Sequence, residues 1–210
     1  MSMTLLLILA LVFSYFQHAI AIYGELQCFT DTMESTKVGS SITLSKTQVL
    51  TVAHMKCEPG SRLYRWQSVY QVAGRNYKNG WVPMATIKAD REVDLMLLEA
   101  VDATLPGPFA RISTDIQVGD LVAYFGAGFR HFTSGLLSSG YVMAVTNDYL
   151  VISNTPFPGQ SGSGIVNENG FVVGLNSRMF ADGPENSVYS IFVSAAVPAQ
   201  KIIQFLKTKP

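Results

Sequence analysis

The sequence predicts an all-β protein of two antiparallel six-stranded barrels, followed by a short C-terminal α-helix. Three observations carry this prediction. The 210-residue chain contains two sets of about six short β-rich runs, separated by turn residues. Pro106-Gly107-Pro108 lies between the two sets and cannot continue a strand ladder, so it marks a crossover. Apolar residues recur with a strong helical period only at the far end of the chain.

The first barrel is expected over residues 25–105. Its strands are predicted where β-branched and aromatic residues cluster, and Asn79-Gly80 supplies the turn of a hairpin. The predicted strands are residues 26–30, 39–44, 48–53, 64–72, 81–88 and 94–99.

The second barrel is expected over residues 112–195, and the closing helix over 198–207. Pro198 suits the start of that helix, where a missing N–H costs nothing. Ile202 and Phe205 belong to its apolar side, and Lys201 and Gln204 to its polar side. The predicted strands are residues 121–125, 135–145, 149–153, 164–166, 171–176 and 188–193.

Composition indicates a globular protein and names no partner. Hydrophobic residues make up 48% of the chain, which is enough for a substantial core. The 15 Lys and Arg residues balance the 15 Asp and Glu residues. Because the chain has no net charge, its composition does not indicate nucleic acid or an anionic membrane as a partner.

Residues 1–21 are read as a secretory signal, and residues 22–210 as the folded domain. Thr4 to Phe16 is almost wholly apolar, and Ala19-Ile20-Ala21 offers the small-x-small pattern of a cleavage site. A secreted or extracytoplasmic location follows from this reading. Two alternatives remain, a membrane anchor through residues 4–23 and a buried helix. They remain because a secretory signal normally begins with positive charge, and the segment before Thr4 carries no Lys or Arg.

The two cysteines, Cys28 and Cys57, lie after the predicted cleavage site, where an exported chain meets oxidising conditions. Two buried free thiols are expected, with a disulfide as the alternative, because spacing alone does not bring two Cβ atoms together. The spacing matches no zinc site.

A glycine-rich turn around Ser161 is the first candidate for chemistry. A nucleophilic serine needs an exposed Oγ and backbone N–H groups aimed at one point, and glycines on either side permit that backbone. The nucleophile elbow of α/β-hydrolases has the motif Gly-x-Ser-x-Gly, and here Ser163 stands in place of the last glycine. No histidine follows Ser161 either, so such an elbow is excluded.

A general base must therefore come from upstream of Ser161. His18 falls in the predicted signal, and His131 falls in a loop, whereas His54 ends a β-rich run that can present a ring rigidly. Asp94 precedes the apolar run 95–98 and is the candidate for the carboxylate that orients the imidazole.

Residues 51–54 (TVAH), 94–98 (DLMLL) and 159–162 (GQSG) resemble, in this order, the His, Asp and Ser segments of chymotrypsin-like proteases. Further stretches resemble the high-temperature-requirement (Deg-type) branch and its small bacterial and viral relatives. These stretches are residues 118–122, 133–135, 158–162, 171–176 and 193–206. The resemblance implies a chymotrypsin-like double barrel. The chain stops after the closing helix, so no downstream peptide-binding (PDZ) module is expected.

The resemblance implies a serine endopeptidase that acts on protein or peptide substrates without a metal or cofactor. Ser161 would attack the carbonyl, His54 would move the proton, and Asp94 would fix the imidazole tautomer. The amides of Gly159 and Ser161 would form the oxyanion hole. Gln160 stands where trypsin-type zymogens carry an aspartate, which argues against that mode of activation.

By the same resemblance, the side chains expected to line the specificity pocket are Thr155, Pro156, Asn176, Ser177 and Met179. None of them is acidic, so apolar side chains are expected at the cleaved position. Two other functions remain in play, a catalytically silent binding or structural module and an esterase, because a fold alone does not prove an activity.

Overall fold

The computed structural model describes residues 17–30, 35–57, 61–67, 82–128, 135–182 and 191–209. Two closed, antiparallel six-stranded barrels and a C-terminal helix make up the fold, which confirms the predicted fold class. The order of strands around the first barrel is β1-β2-β3-β6-β5-β4, and the second repeats it as β7-β8-β9-β12-β11-β10. The strands of the first barrel are β1 (Tyr23–Thr30), β2 (Ser35–Thr43), β3 (Gln48–Thr51), β4 (Ser61–Gln67), β5 (Val82–Asp90) and β6 (Leu95–Ala100).

The second barrel agrees with the sequence except at its last two strands. A bulge between Asn176 and Arg178 lets β11 continue past the predicted end at residue 176, and β12 pairs with it as far as Asp182. The strands are β7 (Leu121–Gly126), β8 (Leu136–Val145), β9 (Leu150–Ile152), β10 (Gly164–Val166), β11 (Val172–Asp182) and β12 (Ile191–Pro198). The predicted turn at Asn79-Gly80 lies outside the described residues.

The linker between the barrels is held to both of them. Leu105 is buried, and its amide donates to the carbonyl of Lys46 in the first barrel. Further on, Ile112 forms a parallel bridge with Val172 of β11. The Pro106-Gly107-Pro108 segment thus lies in the crossover that the sequence predicts.

The C-terminal helix packs its apolar side on the barrels. It spans Ala199–Lys207 and buries Ile202 and Phe205. The Lys88 ammonium group of β5 donates to the carbonyl of Phe205 and lies over its ring. A cation at the carbonyl end of a helix is favourable because that end carries partial negative charge.

Residues 17–21 belong to the packed body, whereas the sequence assigned them to the leader. They are helical, and Ala19 is buried against the core. Ile22 donates its amide to His18 and packs near Gly164 of β10. The predicted cleavage after Ala21 would divide this helical turn, and it stays a prediction. No helix among the described residues is long and apolar enough to cross a membrane.

Cys28 and Cys57 form a disulfide, so the expectation of two free thiols is wrong. Cys28 lies on β1, and Cys57 follows the 3-10 turn Ala53–Met55, which brings their Cα atoms to 5.5 Å. The sequence could not show this approach because it depends on how β1 and the turn after β3 meet across the barrel. The bond ties the segment that carries His54 to the barrel wall.

Candidate active site

His54 and Asp94 meet because two neighbouring strands run antiparallel. β3 pairs with β6, with Thr51 opposite Met96. His54 lies just after the end of β3, and Asp94 lies just before the start of β6, so both fall at the same end of this strand pair. The sequence predicted these two residues from different local signals, and the pairing of β3 with β6 joins them.

The contact between His54 and Asp94 uses both carboxylate oxygens. The His54 ring Nδ1 lies 2.8 Å from Asp94 Oδ2, and the His54 backbone amide donates to Oδ1 at 2.9 Å. Ser177 Oγ donates to Oδ2 at 2.5 Å. A buried carboxylate accepts from Nδ1–H, so this arrangement favours the tautomer in which Nε2 carries no proton and has a lone pair to accept one.

Asp94 is shielded from solvent and His54 is open to it. The Asp94 side chain is 7% exposed and the His54 side chain 43% exposed. Asp94 also adopts a left-handed backbone with φ of 61°, a conformation that Asp and Asn tolerate better than most residues. An exposed imidazole backed by a buried carboxylate is the geometry that a general base requires.

Two effects act in opposite directions on the Asp94 carboxyl. Burial raises its pKa, but the hydrogen bonds from His54 and Ser177 and the nearby imidazole outweigh burial, so the pKa falls below its ordinary value of 3.8. The folded chain therefore holds Asp94 ionised at a pH where the unfolded chain begins to protonate it.

This pKa shift predicts a stability contribution that disappears in acid. A carboxyl whose folded pKa is depressed stabilises the fold above its unfolded pKa, and the contribution is lost as the pH falls through 3.8 towards the folded value. Urea unfolding of the wild type and of Asp94→Asn, which cannot ionise, should show a free-energy difference that shrinks below about pH 4. A difference independent of pH would contradict the assigned shift.

Ser161 lies in a loop that contacts the first barrel through its main chain. The amide of Ser40, on β2, donates to the carbonyl of Ser161 at 2.8 Å. The carbonyl of Ser40 accepts the Thr51 hydroxyl at 2.7 Å, three residues before His54. A short chain of hydrogen bonds therefore connects the loop to the strand that precedes the histidine. The Ser161 side chain is half-buried.

Two glycines in this loop have positive φ in crowded surroundings. Gly159 has φ of 99°, and a Cβ there would lie 2.9 Å from the carbonyl oxygen of Ala127. Gly162 has φ of 91°, and a Cβ there would lie 1.9 Å from the carbonyl oxygen of Ser40. Both positions therefore require glycine, which is the reason for the glycine-dense turn that the sequence showed.

The five residues predicted to line a specificity pocket have different surroundings. Thr155 and Met179 are exposed, and Pro156 is half-buried. Asn176 is buried, with its amide nitrogen 3.2 Å from the carbonyl oxygen of Gln160. Ser177 is buried against Asp94. The side chains of Asn176 and Ser177 thus make internal hydrogen bonds. The exposure of Thr155 and Met179 makes them, together with Pro156, the candidates for substrate contact.

Ser40 is the residue of this region that sequence reasoning missed. Its only signal was a small hydroxyl residue in Gly39-Ser40-Ser41, which is also typical of an ordinary strand. The role that it has in the structure depends on a loop 119 residues away in the chain. His131, the other histidine that the sequence considered, lies outside the described residues.

Comparison with known proteins identifies the family. The family described as "Trypsin-like peptidase domain" matches residues 39–175, which is more than half of the chain. The chain belongs to the trypsin-like peptidase family. The match begins just before Ser40 and ends in β11, so it includes His54, Asp94 and Ser161.

Two curated relatives are similar to this chain. Human "Serine protease HTRA4" is 28% identical over 75% of this chain, which covers 32% of the human protein. The mouse protein of the same name is 30% identical over 59% of this chain, which covers 26% of its length. The chain thus spans about a third or less of these relatives, and the likeness agrees with the Deg-type resemblance.

A solved structure supports the same fold. The serine endoprotease from Yersinia pestis superposes with a TM-score of 0.70 at 18% identity. The superposition covers 91% of this chain and 63% of the Yersinia chain. The double barrel of this chain is therefore a chymotrypsin-like fold, which it shares with the Yersinia serine endoprotease.

Proposed function

We propose that this chain is a serine endopeptidase that hydrolyses peptide bonds through Ser161, His54 and Asp94. The observation that carries the proposal is the exposed imidazole of His54, whose Nδ1 lies 2.8 Å from the buried carboxylate of Asp94. Family membership and the relatives that are called serine proteases support it.

Each residue has a distinct role in the proposed reaction. Ser161 Oγ attacks the peptide carbonyl while His54 Nε2 takes its proton, and the amides of Gly159 and Ser161 stabilise the oxyanion. His54 then returns the proton to the leaving amine, which leaves an ester on Ser161. Water activated by His54 hydrolyses that ester. Asp94 stabilises the imidazolium in both steps without being protonated itself.

A fluorophosphonate probe tests the proposal directly. The probe forms a covalent adduct only with a serine that has been activated as a nucleophile, so the wild-type chain should be labelled and Ser161→Ala should not. The labelled peptide should contain Ser161. A folded wild-type chain that is not labelled would instead support a catalytically silent binding module. Labelling together with cleavage of esters but not of peptides would support an esterase.

Cleavage specificity is expected to favour small or medium apolar side chains. Thr155, which the resemblance places on the wall of the pocket, carries no charge, and Pro156 and Met179 are the other candidate contacts. A Lys or Arg side chain would enter such a pocket without a partner for its charge.

A peptide-library profile of the wild type should therefore show weak cleavage after Lys and Arg. The matched variant Thr155→Asp should raise cleavage after Lys or Arg by on the order of 10-fold, because it supplies a carboxylate on the proposed wall of the pocket. A strict tryptic profile of the wild type would overturn the pocket assignment.

A further inference from the structure

The carbonyl of Gln160 is held firmly in the interior of the second barrel. It accepts the Asn176 amide nitrogen at 3.2 Å, the Ser163 hydroxyl at 2.7 Å and the Ser163 backbone amide at 3.0 Å. The carbonyl of Gln160 and the N–H of Ser161 belong to one planar peptide group, so they point in opposite directions. The three donors therefore fix the direction of the Ser161 amide away from the interior.

The opposite side of the loop is held from the first barrel. Ser40 is fully buried, and its hydroxyl donates to the carbonyl of Gly159 at 2.7 Å. The same hydroxyl accepts the Ala127 amide at 2.9 Å, which fixes its orientation. The Ser40 amide donates to the carbonyl of Ser161. Ser40 thus donates hydrogen bonds to the carbonyls of Gly159 and Ser161, the two residues that flank Gln160.

The Gln160 side chain closes the loop on itself. It is fully buried, and its Oε1 accepts the amide of Phe157 at 2.8 Å, at the start of the loop. Its Nε2 donates to the Ser138 hydroxyl of β8 at 2.9 Å. A neutral amide can do both, because it carries an acceptor and a donor. The loop therefore needs no charge at this position to be anchored.

The amides of Gly159 and Ser161 are left available by these contacts. Within the described part of the chain, no backbone carbonyl accepts either of them. Buried hydrogen-bond networks in which each group is satisfied are rigid, because breaking one bond leaves an unpaired polar group away from water. The loop is thus held in one shape with two donors unused.

We propose that Ser40, Gln160 and Asn176 are positioning residues that hold the oxyanion loop in its reactive shape before substrate binds. This inference rests on the proposed endopeptidase function and concerns the regulation of the same site. The loop takes its shape from buried contacts with both barrels, with Ser40 contributed by the first and Gln160 and Asn176 by the second. No newly cut N-terminus is needed to order it.

The expected effect lies in the chemical step rather than in substrate binding. Loss of one oxyanion-hole donor typically lowers turnover by about 10² to 10³. A donor that remains but is less well oriented should therefore lower turnover by on the order of 10-fold. Ser40→Ala and Gln160→Met should each lower kcat by about 10-fold and weaken a peptidyl boronate by a similar factor, because its tetrahedral adduct places an oxygen in the hole.

Active-site titration with fluorophosphonate counts the reactive sites, so that a loss of folded protein is distinguished from a loss of turnover per site. In a Ser161→Ala background, the Kd of the uncleaved peptide should change by less than about threefold on adding Ser40→Ala, since ground-state binding does not depend on the orientation of the oxyanion-hole donors.

Ser41→Ala is the matched control. Ser41 is buried beside Ser40, but its hydroxyl donates to the carbonyl of Gly24 within the first barrel, so kcat should stay within about twofold of wild type.

Either variant that folds is sufficient for the test. Values of kcat and boronate affinity that stay within about twofold of wild type, with only a lower unfolding midpoint, would overturn the positioning role. A folded wild-type chain that neither cleaves peptides nor reacts with fluorophosphonate would contradict the proposed function and, with it, this inference.

Discussion

Replacing Ser161 or His54 by alanine is expected to lower the turnover number by on the order of 10⁴ to 10⁶. Without Ser161 Oγ no acyl-enzyme forms, and without the His54 imidazole the serine hydroxyl keeps its proton. The imidazole contacts Asp94 through Nδ1, so Nε2 is the ring nitrogen assigned to act as the base. Turnover of a peptide substrate, normalised to folded protein, measures both losses.

The double variant separates a catalytic unit from two independent contributions. Ser161→Ala/His54→Ala should be scarcely slower than either single variant, because a base without its nucleophile accelerates nothing. His131→Ala is the control and should retain wild-type turnover. Losses that add in the double variant, or a large loss in His131→Ala, would contradict the assigned triad.

Asp94→Asn is expected to keep the fold and to cost on the order of 10⁴ in turnover. Asparagine tolerates the left-handed backbone of this position, where φ is 61°. However, Asp94 accepts from His54 Nδ1, from the His54 amide and from the Ser177 hydroxyl, and an asparagine nitrogen cannot accept any of these. The asparagine N–H groups would therefore face another donor unless the imidazole changes tautomer. That change places the proton on Nε2, so the ring can no longer act as the base.

Asp90→Asn is the matched control in the same turn. The Asp90 carboxylate accepts the amides of Glu92 and Val93, and the asparagine oxygen can replace it in both contacts. Turnover should therefore remain within about twofold of wild type, because surface substitutions of this kind are nearly neutral. An Asp94→Asn variant with near-wild-type turnover would show that Asp94 does not set the tautomer.

The sequence by itself determined the two barrels and the closing helix. Strand β10 lies where it was predicted, and the helix begins one residue later than predicted and ends at the predicted residue. These elements are readable because their patterns are local, with β-rich runs between turn residues and an apolar period in the helix. The candidate residues His54, Asp94 and Ser161 were likewise found from short neighbourhoods in the expected order.

The tertiary structure decided which distant residues meet. The length of β11 beyond residue 176 comes from its pairing with β12, and the disulfide comes from the approach of β1 to the turn after β3. The contact of Ser177 with Asp94 and the contact of Ser40 with Gly159 join residues 83 and 119 positions apart. A hydroxyl or a thiol looks the same in a sequence whether or not it has such a partner, because its partner is selected by the packing of the barrels.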